Sequence, residues 1–196
     1  GQLVITDQPV VKEEGKHATR EQAQAIEVDR MVCGVIAARE EVDFYKFQAQ
    51  AGQSVTFAIQ SARLMHKIHD LQNHFDPILS VYDSKGRELA SNDDYYFADP
   101  MVNHTFADAG EYFVAVRDVR FAGDGRWSYA LLVTDRPYVT AVHPMAFNKS
   151  DPRTVEVVGF NLPTAALDLP SLDDAAPGSR IIQFEAPNGK TNEVIV

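Results

Sequence analysis

The alternation of apolar and polar side chains from residue 31 onward restricts the fold more than any other feature of the sequence. In "DFYKFQAQ" every second residue from Tyr45 is apolar, and after the turn signal "AGQS" the same holds for Val55, Phe57 and Ile59. A repeat of two residues is typical of a β-strand with one buried face. Similar segments recur after Gly- and Asp-containing turns. The pattern predicts an all-β fold, a jelly-roll-like antiparallel β-sandwich.

Outside this pattern, the sequence predicts one short helix and a second β segment. The helix is expected in "ATREQAQAIEV", residues 18–28, with Thr19 as a possible cap. The residue pattern changes at "TDRPYVTAVHP", where a new strand is expected to begin at Pro137. Further strands are expected in "TVEVVGFNLP", "RIIQFEAP" and "NEVIV". We therefore place a domain boundary at Arg136 and Pro137.

Three segments follow from these boundaries. They are an N-terminal linker with a first strand and the short helix (1–30), a β-sandwich (31–136) and a smaller, partial β domain (137–196). The last segment ends within a predicted strand, so we expect the native chain to continue beyond it.

Composition excludes several classes of partner and site. The chain of 196 residues carries a net charge of -10, which repels phosphate backbones and anionic lipid headgroups, so we expect no nucleic acid and no membrane insertion. Cys33 is the single cysteine, so neither an intrachain disulfide nor a cysteine-based zinc cluster can form. The sequence has no G-x-S-x-G elbow and no glycine-rich phosphate loop, and we predict that the protein is not an enzyme.

Three segments carry, in order, four motifs that resemble those of one known family. The segments are "DFYKFQAQAGQSVTFAI", "DPILSVYDSKGRELASNDD" and "AGEYFVAVRD", and they are similar to the D-x-Y-x-F, A-G-Q, D-P-x-L and G-x-Y-x-x-x-V motifs of the bacterial pre-peptidase C-terminal (PPC) domain. The resemblance covers about residues 26–135. "HDLQNHFDP" and "YYFADP" resemble modules in large secreted proteins of planctomycete-like bacteria. "PYVTAVHPMAFNKSDPRTVEVVGFNL" is similar to the start of an immunoglobulin-like segment of the IPT/TIG kind.

The resemblance implies a non-catalytic accessory module of a secreted, periplasmic or cell-surface protein, serving adhesion, carbohydrate or protein binding, or spacing. Its partners would be an extracellular polymer or protein, or neighbouring domains of the same chain. Some relatives hold calcium between an acidic linker and the loop before the D-x-Y-x-F strand. Here Asp43 matches the aspartate of that strand, while Glu40 and Glu13 supply carboxylates. The E-P-N of the family is replaced by "EEGKH", which puts Lys16 and His17 where neutral oxygen donors are usual.

A second acidic stretch, "SNDDYYFADP", combines oxygen ligands with aromatic rings. Carboxylate and amide oxygens suit Ca²⁺, although the D-x-[DN]-x-[DN]-G loop is missing and a solvated turn is the alternative. The candidate ligands are Asn92, Asp93, Asp94 and Asp99. Successive aromatic side chains cannot all face one core, so at least one is expected to be exposed for a partner, or to pack against the "RFAGDGRW" loop. The candidate binding residues are Tyr95, Tyr96, Phe97, Phe121 and Trp127.

The stretch "HKIHDLQNHFDP" is rich in histidine and permits two interpretations. A metal-dependent hydrolase would need His66, His69 and His74 to converge on one ion with a position open to water. The spacing has no fixed further ligand, and a connection between two strands is the simpler explanation. In that case the residues that organise the loop are His66, His69, Asp70, His74 and Asp76, with Asp76 before Pro77 fixing the exit.

Overall fold

A computed structural model describes residues 3–64, 74–146, 148, 153–170 and 178–195. The chain forms two compact units, Gly1–Thr134 and Asp135–Val196. This division lies two residues before the boundary that we place from the sequence at Arg136 and Pro137. Because the first unit includes the N-terminal linker, that linker is part of the first folded body rather than a separate segment.

β-Strands are almost the only regular secondary structure that is described in the first unit, which confirms the predicted all-β class. Its strands are β1 (Val10–Lys12), β2 (Gln24–Ala25), β3 (Arg30–Val35), β4 (Val42–Ala49), β5 (Ser54–Gln60), β6 (Pro77–Asp83), β7 (Glu88–Asn92), β8 (Met101–Thr105), β9 (Gly110–Asp118) and β10 (Ser128–Thr134). Two single-turn 3₁₀ helices cover Arg20–Gln22 and Ala62–Leu64. In the described residues no helix is long and apolar enough to cross a bilayer.

Two five-stranded sheets make up the sandwich, in the orders β1-β3-β10-β5-β8 and β2-β4-β9-β6-β7. Neighbouring strands are antiparallel except at one edge of each sheet, where β1 runs parallel to β3 and β2 runs parallel to β4. The N-terminal segment therefore adds one edge strand to each sheet. The chain between β1 and β2 passes from one sheet to the other.

Side chains from both sheets form one hydrophobic core. In β4 the buried positions alternate as the sequence predicts, and Tyr45, Phe47 and Ala49 all point into the core. The Phe47 ring lies 5.3 Å from Phe57 of the facing sheet. Asp43 occupies the same alternating position, so the strand that buries the aromatic rings also buries a carboxyl group.

The helix predicted for residues 18–28 is wrong apart from one turn. After the 3₁₀ helix at Arg20–Gln22 the chain becomes extended, and the Thr19 side chain makes no capping hydrogen bond. The amide of Ile26 donates to the carbonyl of Lys46 at 2.9 Å, next to the β2–β4 pairing. Short isolated helices are marginal in water, so pairing with a preformed strand edge prevails over local helix propensity.

The second unit is a smaller β structure with a core of its own. It contains β11 (Tyr138–His143), β12 (Thr154–Phe160), β13 (Ala166–Asp168), β14 (Ile181–Ile182), β15 (Glu185–Ala186), β16 (Gly189–Lys190) and β17 (Val194–Ile195). β11, β12 and β13 form one antiparallel sheet, while β14 pairs with β17 and β15 with β16. Its core residues are Val139, Val155, Val157, Leu167, Leu169, Ile182 and Phe184. Its IPT/TIG identity stays a prediction.

Candidate functional site

The segment between β1 and β2 carries two residues of a polar cluster at the edge of the sandwich. Glu13 follows β1 directly, and its amide donates to the carbonyl of Cys33 in β3 at 3.0 Å. Four residues later, the carbonyl of His17 accepts the amide of Phe44 in β4 at 2.8 Å. Backbone hydrogen bonds thus hold the two residues against opposite sheets, and both side chains reach the space beside Asp43.

Glu13, His17 and Asp43 form a compact group that we call the EHD cluster. Nε2 of His17 lies 3.4 Å from Oδ1 of Asp43 and 3.8 Å from Oε2 of Glu13. His17 is 5% exposed and Asp43 is 2% exposed. Despite its proximity to two carboxyl groups, the buried Nε2 atom makes no hydrogen bond. In the part of the chain that the structure describes, no other three His, Cys, Asp or Glu side chains bring their ligand atoms within 4.8 Å of one another.

Two buried tyrosines form a chain of hydrogen bonds that ends at the carboxyl group of Asp43. The Tyr129 hydroxyl donates to Oδ2 of Asp43 at 2.6 Å, and the Tyr45 and Tyr129 hydroxyls are also 2.6 Å apart. Because Tyr129 has one hydroxyl proton and gives it to Asp43, Tyr45 is the donor to Tyr129. This chain of donors occupies Oδ2 of Asp43 and leaves Oδ1 facing His17.

The electrostatic environment of Asp43 disfavours a bare charge. Burial raises the pKa of the Asp43 carboxyl to about 7, against the opposing effect of the Tyr129 hydrogen bond. The negative charges of Glu13 and Glu41 add to this increase in the pKa of Asp43. Burial also raises the pKa of both tyrosines, so they remain neutral donors at neutral pH. The EHD cluster therefore needs a proton or a cation to compensate its carboxylates.

Close packing of the cluster depends on the absence of a side chain at Gly34. A Cβ atom at this position of β3 would lie 2.4 Å from the hydroxyl of Tyr129 and 2.7 Å from Oε2 of Glu13. The same carboxylate oxygen accepts the amide of Val35 at 3.1 Å. Glycine at this position thus lets Glu13 and Tyr129 approach the β3 backbone.

We expect Gly34→Ala to destabilise the first unit by about 1–3 kcal/mol, because the methyl group would displace the side chains of Glu13 and Tyr129. The measurement is the denaturation midpoint followed by far-UV circular dichroism. Gly110→Ala is the matched control, since Gly110 also lies in a strand and a Cβ atom there has no neighbour within 4 Å. Equal midpoints for the two variants would contradict the close-approach argument.

Glu40 does not join Glu13 and Asp43, although the three are predicted together as calcium ligands. Glu40 is exposed and has a positive φ of 63°. Its amide donates to the carbonyl of Phe121 at 3.0 Å, so this residue connects two loops through its backbone. His17 takes the third place in the cluster instead.

The acidic stretch after β7 separates into a buried anchor and exposed side chains. Asp99 is fully buried, and its carboxylate accepts the amides of Ser61, Ala62 and Arg63 at 2.9, 2.7 and 3.2 Å. Nε of Arg63 donates to the same group at 2.7 Å. All four interactions fasten the start of the second 3₁₀ helix, so the Asp99 carboxylate is engaged in organising a turn.

The other candidate ligands of this stretch, Asn92, Asp93 and Asp94, differ from Asp99 in their environment. Asp93 and Asp94 are exposed, and Oδ1 of Asn92 accepts the amide of Met101 at 3.4 Å. Among the described residues, neither Asp93 nor Asp94 belongs with Asp99 to a group of three His, Cys, Asp or Glu side chains whose ligand atoms lie close together. Calcium binding by this stretch stays a prediction.

The predicted aromatic residues divide between surface and core. Phe97 is 83% exposed and Tyr95 and Tyr96 are about half as exposed. Phe121 is half-exposed, with the guanidinium of Arg117 over its ring at 4.3 Å. Trp127, by contrast, is buried and belongs to the core, so it is no part of an exposed binding surface.

Most of the histidine-rich stretch lies outside the described residues, including His66, His69 and Asp70. The described end of it is anchored through backbone atoms. The carbonyl of His74 accepts the Arg120 side chain at 2.7 Å, and the carbonyl of Asp76 accepts the amide of Val119 at 2.8 Å. The amide of Asp76 donates to Asp118 at 3.2 Å.

Sequence reasoning noted His17 only as a departure from the family pattern, and it did not identify Tyr129. Tyr129 shares the alternation of Leu131 and Val133 in β10, which indicates a core-facing hydroxyl in need of a partner. No periodicity marks His17, because it lies in an irregular segment. Its position depends on the crossing of the chain between the two sheets.

One protein family and several solved structures are similar to part of this chain. Residues 41–118 match the family described as "Bacterial pre-peptidase C-terminal domain". No curated protein matches the sequence. The pre-peptidase C-terminal domain of a collagenase from Bacillus anthracis is 14% identical with a TM-score of 0.44, covering 57% of this chain and 94% of that chain.

Two periplasmic inhibitors of g-type lysozyme, both called PliG, are also similar. The protein from Aeromonas hydrophila is 14% identical with a TM-score of 0.38, covering 57% of this chain and 97% of that chain. The protein from Salmonella Typhimurium is 17% identical with a TM-score of 0.35, covering 57% of this chain and 99% of that chain. The segment that matches the family description, residues 41–118, lies entirely within the first unit.

Proposed function

We propose that this protein is a non-catalytic accessory module of a secreted multidomain protein, and that it contacts an extracellular polymer through an aromatic turn formed by Tyr95, Tyr96 and Phe97. The family match at residues 41–118 supports the accessory role. The observation that carries the binding site is the exposure of Phe97 on an ordered turn. A contiguous exposed apolar patch, unlike a single exposed side chain, often marks an interaction site, and Phe97 lies next to two part-exposed tyrosines.

The turn holds its rings in place before any partner arrives. The amides of Tyr95 and Tyr96 donate to the carbonyl of Asp99 at 3.2 and 3.0 Å, and the amide of Asp99 donates back to Tyr96 at 3.1 Å. Phe97 adopts a positive φ of 54°, and its ring meets the edge of Tyr96 at a centroid distance of 5.3 Å. A rigid aromatic group loses little conformational entropy on binding.

Arg63 adds a polar side to this aromatic surface. Its guanidinium lies over the Tyr96 ring at 4.7 Å while its Nε atom is bonded to Asp99. The turn therefore combines exposed aromatic side chains with an arginine and the exposed carboxylates of Asp93 and Asp94. Rings flanked by hydrogen-bonding groups suit the stacking of sugar rings, and they also suit apolar segments of a fibrous protein.

Retention on insoluble polymers tests this proposal. The full chain is incubated with chitin, cellulose, peptidoglycan and fibrillar collagen, and the bound fraction is measured against protein concentration. We expect retention on at least one of them and about a tenfold weaker apparent Kd for Phe97→Ala, equivalent to about 1.4 kcal/mol. Met145→Ala, which alters a side chain that is 89% exposed, is the control and should bind as the unaltered protein does.

Two outcomes would contradict the proposal. Retention that Phe97→Ala leaves unchanged would move the binding site away from the aromatic turn. Failure to bind any polymer in the panel would favour spacing or contact with neighbouring domains of the same chain. Circular dichroism on each variant separates a loss of binding from a loss of folding.

A further inference from the structure

The EHD cluster contains an unsatisfied nitrogen that no feature of a binding module explains. Nε2 of His17 is buried, has no hydrogen-bond partner and faces the carboxyl groups of Glu13 and Asp43. A buried polar atom without a partner is rare and costs about 1–3 kcal/mol. The cluster lies apart from the aromatic turn in sequence and in its supporting strands, so it is independent of the proposed polymer contact.

The separations of the three ligand atoms match a small divalent ion. Zinc binds imidazole nitrogen and carboxylate oxygen at about 2.0–2.2 Å, so tetrahedral ligand atoms lie about 3.3–3.6 Å apart. Nε2 of His17 is 3.4 and 3.8 Å from the two carboxylate oxygens, and all three atoms lie within 4.8 Å. The separation between Nε2 of His17 and Oε2 of Glu13 would need to shorten by a few tenths of an ångström to reach this range.

The donor set distinguishes between classes of metal. Calcium takes six to eight oxygen ligands, whereas imidazole suits zinc and other transition metals. The calcium set expected from family resemblance does not fit, because His17 stands among the carboxylates and Glu40 is outside the cluster. Two carboxylates and a neutral imidazole also balance one divalent charge completely, as a buried site requires.

We propose that Glu13, His17 and Asp43 form a binding site for a divalent transition-metal ion of the zinc type. Asp43 supplies Oδ1, Glu13 supplies a carboxylate oxygen and His17 supplies Nε2. The side chain of Glu13 is 29% exposed, so water reaches the site from that side and completes the coordination.

Neighbouring groups already orient the ligands as an outer shell does in metal proteins. The Tyr129 hydroxyl holds Oδ2 of Asp43, and the Val35 amide holds Glu13. Such partners fix the direction of ligand lone pairs and raise metal affinity.

The bound ion would fasten the N-terminal segment to the sandwich. Glu13 and His17 lie in the crossing between β1 and β2, whereas Asp43 lies in β4. An ion shared by the three would join the crossing segment to a central part of the fold. Its function is thus to hold the edge strands of both sheets in place, rather than to run a reaction.

Metal titration of the full chain after chelation and buffer exchange tests the site. Isothermal calorimetry with ZnCl₂, CaCl₂ or MgCl₂ gives the affinity for each ion, and elemental analysis after dialysis gives the stoichiometry. We expect one Zn²⁺ per chain, a higher Tm in its presence, and a much weaker response to Ca²⁺ and Mg²⁺. Cobalt in place of zinc should give a visible absorption band that reports nitrogen and oxygen ligands.

Single substitutions assign the binding to this cluster. Glu13→Gln, His17→Gln and Asp43→Asn should each weaken zinc binding at least about tenfold. Asp43→Asn keeps an oxygen for Tyr129, and Glu13→Gln alters a partly exposed side chain, so these two variants test the site even if His17→Gln fails to fold. His143→Gln, at an exposed histidine of the second unit, is the control and should bind zinc as before.

A separate variant tests whether the histidine-rich stretch binds the zinc ion instead. The triple variant His66→Gln, His69→Gln, His74→Gln should retain one bound Zn²⁺ in our proposal, because none of these residues belongs to the EHD cluster. Loss of zinc binding in the triple variant would overturn the proposal and favour the histidine stretch. Stabilisation by Ca²⁺ but not by Zn²⁺, or zinc binding that survives all three cluster substitutions, would also overturn it.

Discussion

Asp99→Ala is expected to lower the free energy of unfolding of the first unit by about 3–5 kcal/mol. The carboxylate is fully buried and accepts four hydrogen bonds, three from successive amides of Ser61, Ala62 and Arg63 and one from the Arg63 side chain. Alanine leaves these donors without an acceptor, and bonds to a charged acceptor are worth more than neutral ones. The corresponding decrease in Tm is roughly 10 °C.

Fluorescence of the single tryptophan measures this effect, since Trp127 is buried in the core of the first unit. Asp94→Ala is the matched control at an exposed aspartate of the same stretch and should change stability by less than about 0.5 kcal/mol. Asp99→Asn should be intermediate, because it keeps one acceptor oxygen and loses the charge. Equal stability of the Asp99→Ala and Asp94→Ala variants would contradict the anchoring role.

The second large effect is expected for Phe75→Ala, a loss of about 3–5 kcal/mol. The Phe75 ring is 1% exposed and stacks on Trp127 at a centroid distance of 5.7 Å. It also contacts the ring of Tyr129 at 6.2 Å, so the cavity left by its removal would open next to the support of Asp43. The loss combines transfer of an aromatic ring with a cavity that rigid strands cannot fill.

Phe97→Ala is the matched control for this substitution, because it removes the same atoms from an exposed position. We expect it to change stability by less than about 0.5 kcal/mol. Calorimetry or circular dichroism is the measurement of choice here, since Phe75 contacts the tryptophan and changes its emission directly. A similar decrease in Tm for the two phenylalanine variants would show that Phe75 does not belong to the core.

The alternation of apolar and polar residues in β4 and β5 predicted these strands, because a β-strand with one buried face places every second side chain in the core. Tyr45 and Phe47 lie in the core as expected. The same alternation places Asp43 on the buried face, and its carboxyl is one of the few buried acidic groups of the unit. Prediction failed at residues 18–28, where pairing of Gln24 and Ala25 with β4 replaces the expected helix.

Predictions about the site depended on how far apart its members lie in the chain. The pairing of Glu13 with Asp43 followed from family resemblance, and the structure brings the two side chains together. The same resemblance suggested Glu40, whereas the clustering of oxygen-bearing residues in the local sequence suggested the acidic stretch that contains Asp99. The structure turns Asp99 toward the amides of the second 3₁₀ helix and leaves Glu40 exposed.

The sequence by itself determined the class of fold, since the alternation of apolar and polar residues and the turn residues specify strands and turns over a few neighbouring positions. It also excluded cysteine-based metal sites, because Cys33 stands alone. Only the tertiary structure decided that His17 meets Glu13 and Asp43, that Tyr129 supports them, and that Trp127 is buried. These contacts join segments up to 86 residues apart, and such long-range proximity is set by the packing of two sheets rather than by any local pattern.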